Sequence, residues 1–138
     1  MALTPAIREF MVRLEHLLDV KAPPGLDRAS VAVTTANAVA LVRLPHVSDR
    51  RRDVEVEITD RHVVVRYAPE HISFTSRDEA LRFVEMLCDG RVEIEVSHHL
   101  LWTTMRSYRD GQALPFRRTR MPWPTLRPRT ERRPAGFG

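Results

Sequence analysis

A chain of 138 residues, with 43% hydrophobic and 29% charged residues, has the size and composition of a single globular domain. Its longest uninterrupted apolar run, Ala38 to Val42, is far shorter than the ~20 residues of a membrane-spanning helix, and this excludes that class. Charge is unevenly divided: residues 1–105 hold 13 Lys/Arg against 16 Asp/Glu, whereas residues 106–138 hold 9 Arg against 2 acidic residues.

The first helix is predicted to start at Thr4 and Pro5, because threonine caps helix N-termini and proline is favoured at the first helical position. The apolar residues that follow recur at spacings of three and four, which is typical of an amphipathic helix. The helix should end before Ala22-Pro23-Pro24-Gly25, since paired prolines cannot continue it. Its apolar face comprises Ile7, Phe10, Met11, Leu14, Leu17 and Leu18.

Two strands are expected after this helix. Residues 30–35 are rich in β-branched residues and alternate in polarity, and residues 38–44 form a second apolar run that ends at Pro45. The two strands should turn near Ala36-Asn37. A short helix over residues 35–44 is the alternative.

The clearest strand pair lies on either side of Asp60-Arg61. In residues 54–59 and 62–67 apolar side chains alternate with polar or charged ones, a pattern that indicates an antiparallel sheet with one solvent-exposed face. A further short strand is expected at residues 72–74, after the turn at Pro69.

A capping box marks the start of the second helix. Ser76 can accept from the backbone of Glu79, whose side chain can reach back to the cap residue. Apolar residues between 80 and 88 then line one helical face, and Asp89-Gly90 supplies the stop.

An alternating strand over residues 91–96 follows the second helix. Asp110-Gly111 is the best hairpin signal in the chain, so residues 102–108 and 113–118 are expected to pair as a ribbon. A short helix over residues 99–107 is the alternative.

The order of these elements predicts an α+β fold. We expect a mostly antiparallel sheet of about five to seven strands, two amphipathic helices on one of its faces, and an extended C-terminal tail. Four prolines between Met121 and the last residue favour an extended conformation there. The predicted division is a globular domain over residues 1–112 and a basic tail, rich in Pro and Arg, over residues 113–138.

Cysteine content predicts a cytoplasmic location. Cys88 is the single cysteine and cannot form an internal disulfide, which agrees with a reducing compartment. The first residues contain no basic region followed by a long apolar stretch, so no secretory signal is expected.

Motifs for nucleotide-dependent or hydrolytic catalysis are missing from the sequence. The five glycines build no phosphate-binding loop, and neither a Gly-x-Ser-x-Gly elbow nor a His-Glu-x-x-His zinc motif occurs. The sequence therefore favours a non-enzymatic protein without a cofactor, although an enzyme stays open.

Histidines near the ends of strands allow a metal site only in principle. His62, His71 and the pair His98-His99 precede or follow predicted strands, but neighbours on a strand point to opposite faces. Histidines at the surface or at a sheet edge are the favoured interpretation, so no metal is predicted.

Glutamates offer a second route to a binding or catalytic site. Glu55 and Glu57 share one strand face, as do Glu93 and Glu95, and four carboxylates would line the sheet if the two strands were neighbours. Charge balance with arginines on nearby strands is the favoured interpretation. A small-ligand binder or enzyme that uses the sheet face, with His62, His98 or a glutamate as its polar group, is the third functional hypothesis.

The C-terminal segment is the sharpest functional feature. Arginines can neutralise phosphates or pair with acidic side chains, and aromatic residues among them can stack on bases or anchor a protein interface. The predicted partner-binding residues are Phe116, Arg117, Arg118, Arg120, Trp123, Arg127, Arg129, Arg132 and Arg133.

These residues lead to a ranked set of functions. A non-catalytic interaction, assembly or accessory protein that docks on a protein partner comes first, with a homo-oligomer as a further possibility. A nucleic-acid-binding protein comes second, and an inert, solvated tail is the alternative to both. Arg50-Arg51-Arg52 is interpreted as a solvated loop, unless it lies beside the tail and extends its basic surface.

Overall fold

A computed structural model describes residues 3–67, 70–99, 103–121 and 129–138. Over these ranges the chain forms two α-helices and nine strands. The strands make two antiparallel sheets, of five and four strands, instead of one sheet of about five to seven. The predicted α+β class is confirmed.

Helix α1 spans Pro5–Lys21 and begins as predicted. Thr4 Oγ1 accepts a hydrogen bond from the backbone N–H of Ile7 at 3.3 Å. Ala22 ends the helix in a left-handed conformation, with its N–H bonded to Leu18 O at 2.9 Å. The buried face of α1 comprises Ile7, Phe10, Leu14 and Leu18.

The first sheet is a simple meander in which each strand pairs with the next in sequence. Asn37 and Ala38, both with positive φ, form the turn between the first two strands, and Ala36 pairs with Val39 across it. The predicted hairpin is therefore present and the alternative helix is not. In chain order the strands are β1 (Ala32–Ala36), β2 (Val39–Leu44), β3 (Val54–Ile58), β4 (Val63–Tyr67) and β5 (Glu70–Phe74).

Helix α2 spans Arg77–Cys88 and packs beside α1 over β4 and β5. Ser76 Oγ accepts from the N–H of Glu79 at 3.3 Å, as the capping signal predicts. Phe83 lies against Tyr67, with ring centroids 5.3 Å apart. Within the described ranges, no helix is both long and apolar enough to cross a membrane.

The second sheet contains strands from the last third of the chain, in the order β8-β7-β6-β9. The hairpin predicted at Asp110-Gly111 joins β7 to β8, and both turn residues have positive φ. Because β7 starts at Thr103, the alternative helix over residues 99–107 does not form. The strands are β6 (Val92–His98), β7 (Thr103–Arg109), β8 (Gln112–Met121) and β9 (Arg129–Pro134).

Strand β9 and the residues after it lie on the folded body. β9 pairs antiparallel with β6, and Ala135 and Phe137 are buried in the core. Phe137 O accepts from the N–H of Gly25 at 3.0 Å, and the N–H of Phe137 donates to Leu87 O at 2.9 Å. The extended conformation predicted for residues 113–138 holds for β8 and β9, but the last ten residues pack on the body, and the division at residue 112 stays a prediction.

Candidate functional site

The predicted partner-binding residues fall on opposite edges of the second sheet. Phe116, Arg117, Arg118 and Arg120 are part of β8, the outer strand on one side. Arg129, Arg132 and Arg133 are part of β9, the outer strand on the other side. Trp123 and Arg127 lie outside the described residues.

Arg132 is engaged by neighbouring strands of its own sheet. Its guanidinium lies 3.3 Å from a carboxylate oxygen of Glu95 and 3.5 Å from one of Glu93. Its Cζ sits 4.0 Å from the centre of the Tyr108 ring. Partly exposed ion pairs and cation–π contacts each contribute up to about 1 kcal/mol, so Arg132 helps to hold β9 and β7 on either side of β6.

Arg133 lies on the other side of β9 and meets the arginine triplet. Adjacent residues of a strand point to opposite faces, and Arg133 lines a small cleft together with Arg51 and Arg52. We call these three residues the basic surface. The cleft between them has a volume of about 10 Å³, is also lined by the buried side chains of Tyr67 and Ile94, and is too small for a ligand.

Charge on the basic surface is only partly balanced. Arg51 lies 3.3 Å from Asp49, and the N–H groups of Arg51 lower the pKa of that carboxyl. Arg52 donates to the backbone carbonyl of Gly138 at 3.3 Å. Neither Arg52 nor Arg133 forms an ion pair with an acidic residue of the described ranges, and the Nε of Arg52 is buried.

His46 lies close to Arg52 of the basic surface. Its Nδ1 accepts from the backbone N–H groups of Ser48 and Asp49, both at 3.1 Å, and its ring stacks on Phe137 with centroids 6.2 Å apart. Burial, and then the nearby Arg52 guanidinium, lower the pKa of His46. No local sequence pattern assigns His46 a role, because its contact with Phe137 joins residues that are distant in the chain.

The metal and thiol candidates do not form a reactive site among the described residues. His62 lies in the turn between β3 and β4, with its Nδ1 3.4 Å from Thr59 Oγ1, whereas His98 is in the second sheet beside Glu131. In the described part of the chain no three His, Cys, Asp or Glu side chains are grouped as metal ligands. Burial raises the pKa of the Cys88 thiol to about 12.

The four glutamates do not line one surface. Glu55 and Glu57 belong to β3 of the first sheet, whereas Glu93 and Glu95 belong to β6 of the second. Ion pairs accompany each set: Arg43 lies 3.6 Å from Glu55, Arg66 lies 3.6 Å from Glu57, and Arg132 lies between Glu93 and Glu95.

A groove between α1 and α2 has a volume of about 580 Å³. Its apolar lining includes Val12, Val20 and Leu81. The ion pair of Arg13 with Asp78, at 2.7 Å, lies at its rim. The lining also contains the titratable side chains of His16 and Glu85, so apolar and ionisable groups share this groove.

Comparison of the chain with known protein families, with curated proteins and with solved structures finds no match. No function can therefore be carried over from a relative. The basic surface, and the packing that fixes it, are the features from which a function can be inferred.

Proposed function

We propose that the protein is a non-catalytic interaction or assembly protein that docks on a protein partner through arginines of its C-terminal strands. The observation that carries this proposal is the position of Arg133 beside Arg51 and Arg52. Positive charge from two segments that are distant in the sequence is thereby brought together. Arginine is among the residues most enriched at interface hot spots, since its planar guanidinium binds carboxylates in a bidentate manner.

The pattern of charge along β9 favours an acidic protein over a nucleic acid. Arg129, Glu131 and Arg133 alternate along one side of the strand, so a carboxylate interrupts the row of arginines. A phosphate backbone carries regularly spaced negative charge and would be repelled at Glu131. A protein partner can instead place an acidic side chain opposite Arg133 and a basic or neutral one opposite Glu131.

Tyr108 is poorly placed to stack on a base. The Arg132 guanidinium covers one face of its ring at 4.0 Å, and the same guanidinium is held by Glu93 and Glu95. Base stacking on an aromatic platform is the main source of affinity for single strands besides charge. A nucleic-acid-binding function remains the second proposal, supported by the proximity of Arg51 and Arg52 to Arg133.

The variant Arg133→Glu tests docking, because it reverses one charge of the basic surface while leaving Arg51 and Arg52 available to pair with the new carboxylate. Arg82→Glu is the matched control, since it makes the same change in net charge on an exposed site of α2. We expect affinity purification from native cells after nuclease treatment to capture a protein with wild type and Arg82→Glu, and at least about tenfold less of it with Arg133→Glu.

Equal capture by all three proteins would refute the proposal. Fluorescence anisotropy with labelled RNA and DNA across a salt series separates the second proposal from the first. Binding that needs Arg133, with a log–log salt slope of about −0.7 per single-strand phosphate neutralised, would replace protein docking by nucleic-acid binding.

A further inference from the structure

Strand β1 differs from the other three outer strands of the two sheets. β5 contains Glu70, and the sequences of β8 and β9 contain prolines and several arginines. Charges and prolines at a sheet edge oppose pairing with another chain. The sequence of β1 is Ala-Val-Thr-Thr-Ala, which contains no charged residue and no proline. All five of its residues are exposed.

The backbone of β1 has hydrogen-bonding groups that face outward. In a hairpin closed by the pair Ala36 and Val39, alternate residues of β1 bond to β2, beginning with Ala36 itself. Thr34 and Ala32 follow in the same phase. The N–H and C=O groups of Val33 and Thr35 therefore point away from β2, to the free edge of the sheet.

We propose that β1 pairs antiparallel with β1 of a second copy of this chain, about a twofold axis at Thr34. In this register Val33 lies opposite Thr35 of the second copy, so the outward backbone groups of each strand meet those of the other. The two five-stranded sheets then join into one continuous sheet. Closed twofold pairing of this kind is the commonest form of homo-oligomer.

Side chains of β1 make the strand complementary to itself. Valine and threonine have nearly the same shape, so Ala-Val-Thr-Thr-Ala presents the same profile in both directions. Cross-strand pairs of β-branched residues and Thr–Thr pairs stabilise sheets by roughly 0.2–1 kcal/mol each. Because the strand is uncharged, pairing brings no like charges together within it.

A partly open groove, lined by both apolar and charged side chains, adjoins the same edge. Val33 is 51% exposed and lines a groove of about 250 Å³ with side chains of α1 and with Val42. Val33 shares the face of its cross-strand partner Val42, which is buried, so it lies on the helix side of the sheet. Thr35 of the second copy would lie beside Val33 and cover part of its exposed surface.

The area that two copies of β1 can bury limits the expected stability of the dimer. Stable dimers bury about 1,200–2,000 Å² in total, and a pair of short strands buries less than this range. We therefore expect monomer and dimer to be in equilibrium at micromolar concentrations of the protein. The dimer does not depend on the proposed docking function, because β1 is uncharged and contains none of the three arginines of the basic surface.

Substitutions at Thr34 test the proposal, since this residue faces its own copy across the axis. Thr34→Lys and Thr34→Glu each place like charges directly opposite one another, and each should weaken dimerisation about tenfold or more. An equimolar mixture of the two variants should dimerise again, because lysine then faces glutamate. Sedimentation velocity over a concentration series measures all three samples.

Val12→Lys is the matched control, because Val12 is 67% exposed on α1, away from β1. It should dimerise like the wild type. A wild type that stays monomeric throughout the micromolar range would overturn the proposal. So would a dimer that Thr34→Lys leaves intact, or one that the mixture of lysine and glutamate variants fails to restore.

Discussion

His46 connects the segment after β2 with the last residues of the chain. Its Nδ1 is occupied as an acceptor for two backbone N–H groups, a role that requires the unprotonated nitrogen. Protonation would break both bonds and would add a positive charge close to Arg52. The pKa of His46 is lowered for two reasons. Burial disfavours the charged imidazolium, and the nearby positive charge of Arg52 disfavours it further.

Stability should therefore fall in mild acid. Because the folded-state pKa of His46 lies below the ordinary value of about 6.5, its contribution is fully present above that pH and is lost as pH falls through the folded-state pKa. In His46→Asn the amide oxygen can accept from Ser48 and Asp49 without titrating. Denaturant unfolding at several pH values should give a smaller acid-side slope for the variant than for wild type, and equal slopes would contradict this assignment.

At the scale of elements, the last residues of the chain bind to the segment after α1 and to the end of α2 through backbone hydrogen bonds of Phe137. A Cβ added at Gly25 would lie 2.8 Å from Phe137 O, so only glycine permits this approach of the two backbones. Gly136 has φ of +74° and its added Cβ would lie 2.5 Å from Leu87 O. Two glycines far apart in sequence thus make room for the burial of Phe137.

Phe137→Ala should lower the free energy of unfolding by about 3–5 kcal/mol, because it removes a fully buried aromatic ring and leaves a cavity. Val47→Ala is the control: Val47 is 56% exposed, and its truncation should change stability by no more than about 0.5 kcal/mol. Urea denaturation measures both. A loss below about 1 kcal/mol for Phe137→Ala would show that the last residues do not pack on the body.

At the scale of the whole molecule, the two sheets are joined through a buried polar contact. The Tyr67 hydroxyl of β4 donates to Ser107 Oγ of β7 at 3.1 Å, and both residues are at most 2% exposed. The Tyr67 ring also packs on Phe83 of α2. One side chain therefore contacts both sheets and a helix.

A double-mutant cycle measures this connection. Tyr67→Phe keeps the ring and removes the hydroxyl, and leaves Ser107 without that donor, at a cost of about 1–3 kcal/mol. Ser107→Ala should cost a similar amount. If the hydroxyls act on each other, the double variant should be about 1 kcal/mol more stable than the sum of the single losses predicts, whereas simple additivity would argue against the contact.

Sequence signals from nearby residues were sufficient to predict most of the helices and strands. Thr4 and Ser76 cap their helices by hydrogen bonds to nearby backbone groups, and Asp110-Gly111 adopts the positive φ values of its turn. Strand β9 was not predicted, because its arginines and its proline show no alternation of apolar and polar residues. It forms through pairing with β6, which lies more than thirty residues earlier in the chain.

The sequence by itself determined the α+β class, both helices and the accumulation of arginine near the C-terminal end. It favoured the two hairpin turns but left a short helix open at each, because the signals for these elements come from neighbours within a few residues. Only the tertiary structure decided that the strands divide into two sheets, that Glu93 and Glu95 hold Arg132, and that Arg133 meets Arg51 and Arg52. These contacts join segments separated by long stretches of chain. Their free energy comes from burial and pairing in the assembled core, and no local pattern of residues specifies it.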